Sequence, residues 1–93
     1  MLVLDETYDE FREHSTPAHD LFTRSDWPRN LVQLYSFSKV FSLPGYRVGA
    51  LVADPSVLAG AAKLADCETI GAPRIGQEAV AYGIEHLDDW VAA

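Results

Sequence analysis

The run YSFSKVFSLPGYRVG, residues 35–49, puts an amine, Lys39, where an apolar stretch ends and a guanidinium, Arg47, eight residues later, with the hydroxyls of Ser36, Ser38 and Ser42 around them. A lysine held neutral is a nucleophile toward carbonyl compounds and a base for proton transfer. Arginine and serine side chains together suit a phosphate. A second group stands upstream, where Asp5 closes the apolar run Met1–Leu4 and Tyr8 follows three residues later. If the two apolar runs are parallel neighbours in one sheet, Asp5 and Lys39 emerge at the same carboxyl edge, the place where open α/β sheets bind ligands. An acid, a phenol, an amine and an anion site then converge.

The elements that must position these groups are legible in outline. Met1–Leu4 is uniformly apolar and reads as a strand buried on both faces. Leu31–Phe37 reads as a second strand, and the connection between them, irregular or partly helical over residues 14–30, is long enough for a crossover between parallel strands. Pro44-Gly45 marks a turn, with proline fixing φ and glycine supplying the permissive conformation. Val48–Ala53 is a third strand. Asp54-Pro55 is an N-cap followed by proline at the first helical position, opening an amphipathic helix to about Asp66 with Val57, Leu58, Ala61, Ala62 and Ala65 on one face. A last helix is expected from about Pro73 to the end, burying Ile75, Ala79, Tyr82 and Leu87 and weakened at Gly83 by about 1 kcal/mol relative to alanine. The expectation is an α/β fold of two parallel strands and a third, with flanking helices.

Bulk properties narrow the function classes. Fourteen acidic residues against seven basic ones give a net charge of −7, the wrong sign for gripping nucleic acid or an anionic membrane. Neither partner is expected. Cys67 stands alone, so no internal disulfide is possible; a cytoplasmic setting fits, and Cys67 itself is read as a small buried residue. No apolar stretch approaches the roughly 20 residues that span a bilayer. Asp5, Glu6, Asp9 and Glu10 follow no calcium-loop spacing, and His14 and His19 lack a third ligand, so no metal is expected. Gly45–Gly49 lacks the Gly-Lys-Ser/Thr ending of a phosphate-loop nucleotide site. With 93 residues the core must be thin.

Three blocks, Asp5-Glu6-Thr7-Tyr8, Ser36-Phe37-Ser38-Lys39 and Gly45-Tyr46-Arg47-Val48-Gly49, resemble in order and spacing the signature blocks of the fold-type I, pyridoxal-phosphate-dependent class I/II aminotransferases. The resemblance covers nearly the whole chain, but only as the middle of the family's much longer sequence. It implies that residues 1–93 are a fragment of the large cofactor domain, with the third strand antiparallel. It further implies that Lys39 forms the Schiff base with pyridoxal 5′-phosphate and then moves a proton as base, and that Asp5 pairs with the pyridine nitrogen. Tyr8 would donate to the phenolic oxygen, while Ser36, Ser38 and Arg47 would hold the phosphate. The implied partners are an amino acid and a 2-oxo acid, in a homodimer. Lyase, decarboxylase or condensing chemistry on the same fold is the alternative, since the same residues serve all of these. The family's second phosphate-binding turn, its ring-stacking aromatic and its carboxylate-binding arginine have no counterpart here. Met1 falls where the Asp-bearing strand should begin, so a truncated, non-catalytic product is a further expectation.

Overall fold

Apolar runs flanked by polar turns build a three-stranded sheet in the order β1 (Leu2–Asp5), β2 (Leu31–Ser36), β3 (Gly49–Val52). The computed structural model describes residues 1–13 and 17–93; the expectation for His14 lies outside the described residues. β1 runs parallel to β2, with Leu2 opposite Leu31 and Asp5 opposite Leu34. β3 is antiparallel to β2, with Gly49 opposite Ser36 and Val52 opposite Gln33. Both strand relations are as expected. The crossover carries two 3₁₀ turns, Asp9–Phe11 and Leu21–Thr23, and the short helix α1 (Trp27–Asn30) that delivers the chain into β2.

β2 ends one residue sooner than the apolar pattern suggested. Ser36 leaves the strand in an extended conformation and its Oγ accepts from the Ser38 amide at 3.3 Å, so Phe37 already belongs to the next element, α2 (Phe37–Val40). A hydroxyl at the N-cap satisfies one of the amides a helix start leaves unpaired. The turn after α2 also differs from expectation. Gly45 does not take the left-handed conformation; Ser42 and Arg47 do, with φ of 53° and 54°.

α3 (Pro55–Glu68) starts as the sequence indicates, with Asp54 accepting from the Ser56 amide at 2.9 Å and Pro55 in the first turn. Val57, Ala61 and Ala65 are half-buried on its inner side, while Leu58, Ala62 and Cys67 are exposed. The expectation of a buried Cys67 is therefore corrected: it lies on the outer side of a helix covered on one side only. The final helix is two, α4 (Arg74–His86) and α5 (Asp88–Ala92), joined at Leu87. Its packed face is also not the one hydrophobicity pointed to. Gly76, Val80 and Gly83 are buried, whereas Ile75 and Tyr82 are 69% and 59% exposed. Ala79 and Leu87 are half-buried. The reason is close approach: a Cβ at Gly76 would lie 2.6 Å from Val48 Cγ2, and one at Gly83 would lie 2.9 Å from the Phe41 ring.

The buried apolar set is Leu31, Val32, Val40, Val48, Ala53 and Val80, drawn from β2, α2, the residues immediately before and after β3, and α4. β1 stays outside it. Leu2 and Val3 are 47% and 56% exposed, because β1 is an edge strand with no second layer over it, and the expectation of burial on both faces is corrected. The molecule is a slab, 37 × 34 × 18 Å, with a radius of gyration of 14.5 Å where a compact chain of this length gives roughly 12 Å. Its accessible surface is 7001 Å², against roughly 5,400 Å² for a compact monomer of this mass.

Candidate active site

Topology alone brings the sequence blocks to one edge. Asp5 is the last residue of β1 and Ser36 the last of β2, and because the strands are parallel both chains leave the sheet on the same side. β3 runs the other way, so Arg47, two residues before Gly49, arrives at that edge too. Backbone bonds fix the three exits: the Glu6 amide donates to the Leu34 carbonyl at 2.9 Å, and the Phe37 amide to the Val48 carbonyl at 3.2 Å. Lys39 is exposed in α2, directly after the edge, and Leu43 N donates to the Ser38 carbonyl at 3.1 Å, closing the loop that carries it.

The side chains differ in how firmly they are held. Asp5 Oδ1 accepts from the Thr7 amide at 3.1 Å and from Thr7 Oγ1 at 2.5 Å. The Thr7 hydroxyl, and after it the Thr7 amide, hold the Asp5 carboxyl below its ordinary value of 3.8, outweighing a small opposing effect of burial. Arg47, in its left-handed conformation, donates from Nη1 to the Pro44 carbonyl at 2.8 Å. Ser36 is half-buried and engaged as the α2 cap; Ser38 is buried at 8% exposure. Tyr8 is 62% exposed, its ring centroid 6.1 Å from that of Phe11.

A concavity of about 740 Å³ lies beside this edge rather than in it. Tyr35, Phe37, Val40, Phe41, Ile84 and Val91 line it together with Glu10 and Arg12. Asp5, Lys39 and Arg47 are not among its lining residues. Burial raises the Tyr35 phenol above its ordinary value of 10.0, with Glu10 and then Asp9 adding to the effect. The rings of Phe37 and Phe41, both among its lining residues, are stacked with centroids 6.1 Å apart. Among the described residues no cluster of three or more His, Cys, Asp or Glu side chains is arranged to hold a metal, and no helix is long and apolar enough to cross a membrane.

Thr7 is the residue the sequence reading passed over. Its signal was available: a hydroxyl two residues after an aspartate closes a local turn onto the carboxylate. The sheet order and the reversal of β3 fit a partial fold-type I domain. The chain belongs to the aminotransferase class I and II family, whose model matches residues 1–91.

Among its relatives are aromatic amino acid aminotransferases of Rhodococcus opacus, 39% identical over 77% of this chain and 19% of the relative, and of Rhodococcus erythropolis, 32% identical over 99% of this chain and 24% of the relative. A histidinol-phosphate aminotransferase of Gloeobacter violaceus is 38% identical over 100% of this chain and 24% of the relative. The chain thus spans about a quarter of the length of these curated relatives or less. No solved structure matches it.

Proposed function

We propose that residues 1–93 are part of the cofactor domain of a pyridoxal-phosphate-dependent aminotransferase, a homodimeric cytoplasmic enzyme that moves an amino group from an amino acid to a 2-oxo acid. The observation that carries this reading is the arrival of Asp5, Lys39 and Arg47 at one sheet edge through a parallel pair and a reversed third strand. The donor set fits the cofactor's chemistry. Asp5, a carboxylate whose Oδ1 is held by Thr7, is the partner a protonated pyridine nitrogen requires. Ser36, Ser38 and Arg47 provide hydroxyl, amide and guanidinium donors for a phosphate, and Tyr8 a phenol for the ring's phenolic oxygen. Pyridoxal 5′-phosphate, when bound, supplies an electron sink for the charge left at the substrate Cα. Lys39 would hold the cofactor through its aldehyde and, with its amine free, would take and return the proton at the substrate Cα. It acts as base only while neutral, which requires a closed site. The names of the relatives favour a substrate of the aromatic or imidazole-bearing class.

By itself the 93-residue chain is inactive on this reading, because Lys39 and Tyr8 are exposed and amine capture at an open site is neither selective nor lasting. Borohydride reduction after mixing with pyridoxal phosphate, followed by peptide mapping, tests both statements. In the full-length protein one label is expected, on Lys39, and Lys39→Ala abolishes both the label and amino-group exchange. In the 93-residue chain the label spreads over Lys39 and the other lysine, Lys63. Exchange that survives Lys39→Ala would sink the assignment, and exclusive labelling of Lys39 in the short chain would sink the claim that it is inactive alone.

A further inference from the structure

We propose that Thr7 is a positioning residue for Asp5: its amide and hydroxyl together hold one carboxylate oxygen, so that Asp5 stands ionised and oriented at the sheet edge with its other oxygen left for a cationic ring nitrogen. This rests on the cofactor reading above and deepens it. Both donors converge on Oδ1, at 3.1 and 2.5 Å, and Oδ2 takes part in neither bond. Two bonds to one oxygen restrain rotation of the carboxylate about its last torsion, and both favour the charged form, which is the better acceptor.

The same arrangement occurs a second time in the chain and shows what is unusual about the first. Asp54 Oδ1 accepts from the Ser56 amide at 2.9 Å and from Ser56 Oγ at 2.6 Å, and there it opens the 14-residue helix α3. Capping explains that pair completely. At Asp5 no helix begins. The next element is the 3₁₀ turn Asp9–Phe11, whose own cap residue is Tyr8 and makes no side-chain capping bond. The Asp5–Thr7 pair therefore holds a carboxylate where no helix needs one, at the end of β1 and on the edge to which Lys39 and Arg47 come.

The inference is tested by following the Asp5 side-chain carboxyl by ¹³C NMR as a function of pH in the 93-residue chain, with Asp54 as the internal control. Thr7→Val, which keeps the shape and removes the hydroxyl, should raise the Asp5 midpoint toward the ordinary carboxylate value and leave Asp54 where it is. Thr7→Ser should restore the midpoint. An Asp5 midpoint equal in wild type and Thr7→Val overturns the inference, as does a Thr7→Ser chain that behaves like Thr7→Val.

In the full-length protein, the acid limb of the pH profile for borohydride-trapped pyridoxal phosphate on Lys39 should move to higher pH in Thr7→Val and return in Thr7→Ser. A turn that served folding alone would lower labelling at every pH without moving the limb, and that result also overturns the inference. Failure of the cofactor reading looks different: wild-type Lys39 takes no label at any pH, while the Asp5 midpoints still decide the role of Thr7.

Discussion

Gly76 and Gly60 are both helical glycines, yet replacing each with alanine should change stability in opposite directions. At Gly60, in the middle of α3, nothing lies within 4 Å of a built Cβ. Gly60→Ala should therefore stabilise the chain by about 1 kcal/mol, the usual helix-propensity difference. At Gly76, in the first turn of α4, the added carbon would meet Val48 Cγ2 at 2.6 Å, the Tyr46 carbonyl oxygen at 3.1 Å and Tyr46 Cβ at 3.4 Å. Val48 is buried and β-branched, so it has little rotamer freedom with which to withdraw, and the Tyr46 oxygen is backbone. Overpacking of this kind costs about 1–3 kcal/mol. Any propensity gain at Gly76 is no larger than at Gly60, so the two variants should differ by at least about 1–3 kcal/mol, with the clash as the cause. Urea unfolding followed by far-UV circular dichroism measures both. Because the obstructing atoms belong to the turn that carries Arg47, the Arg47 resonances should shift in Gly76→Ala and stay in place in Gly60→Ala. Equal stabilisation by the two substitutions would refute the packing of α4 against the entry to β3, and with it the account of how that turn is held.

Asp54 ties helix α3 to pH: Ser56 holds its folded-state pKa below the ordinary 3.8, so its contribution is fully present above that value and is lost as pH falls through the lower folded one. Hydrogen exchange of the first α3 amides should accelerate over that acid range in the wild type and lose this acid step in Asp54→Asn, and an identical acid response in both would refute the cap. The exposed edge β1, with Leu2 and Val3 open to solvent, should drive self-association that Val3→Lys reduces, read by light scattering over a concentration series. A compact wild-type monomer at high concentration would contradict that reading.

The parallel pair and the start of α3 were legible because each is encoded locally, in an apolar run that ends in polar residues or an aspartate before a proline; the reversal of β3 was expected from the family resemblance alone. What was not legible depends on neighbours. β1 is as apolar as a central strand, but burial is a property of what lies on either side, and here β2 lies on one side only. In α4 the most hydrophobic residues, Ile75 and Tyr82, face out, because the packed face is chosen by how closely Val48 and Phe41 approach. Gly83, read from sequence as a weak point in the helix, is part of that approach. Arg47 takes a left-handed conformation in a turn where the sequence reading placed the permissive position at Gly45. Of the candidate site, the sheet edge to which Asp5, Ser36 and Arg47 come could be read; the hold on each side chain could not.

That difference in hold bears on what the edge is for. Asp5 is pinned by two bonds within its own turn and Ser36 by its role as a cap, so both keep their places without any layer above them. Lys39 and Tyr8, the groups proposed to react with or tune the cofactor, are exposed. An amine that must be neutral to act as base needs to be taken out of water, and an 18 Å slab with roughly 1,600 Å² more surface than a compact monomer has no layer to do so. The excess is about twice the roughly 800 Å² that one partner buries in a standard protein interface. On the proposed function the edge has its anchors built in and its reactive groups uncovered, which is the arrangement expected if anchoring is local to this segment while catalysis waits on surfaces packed against it.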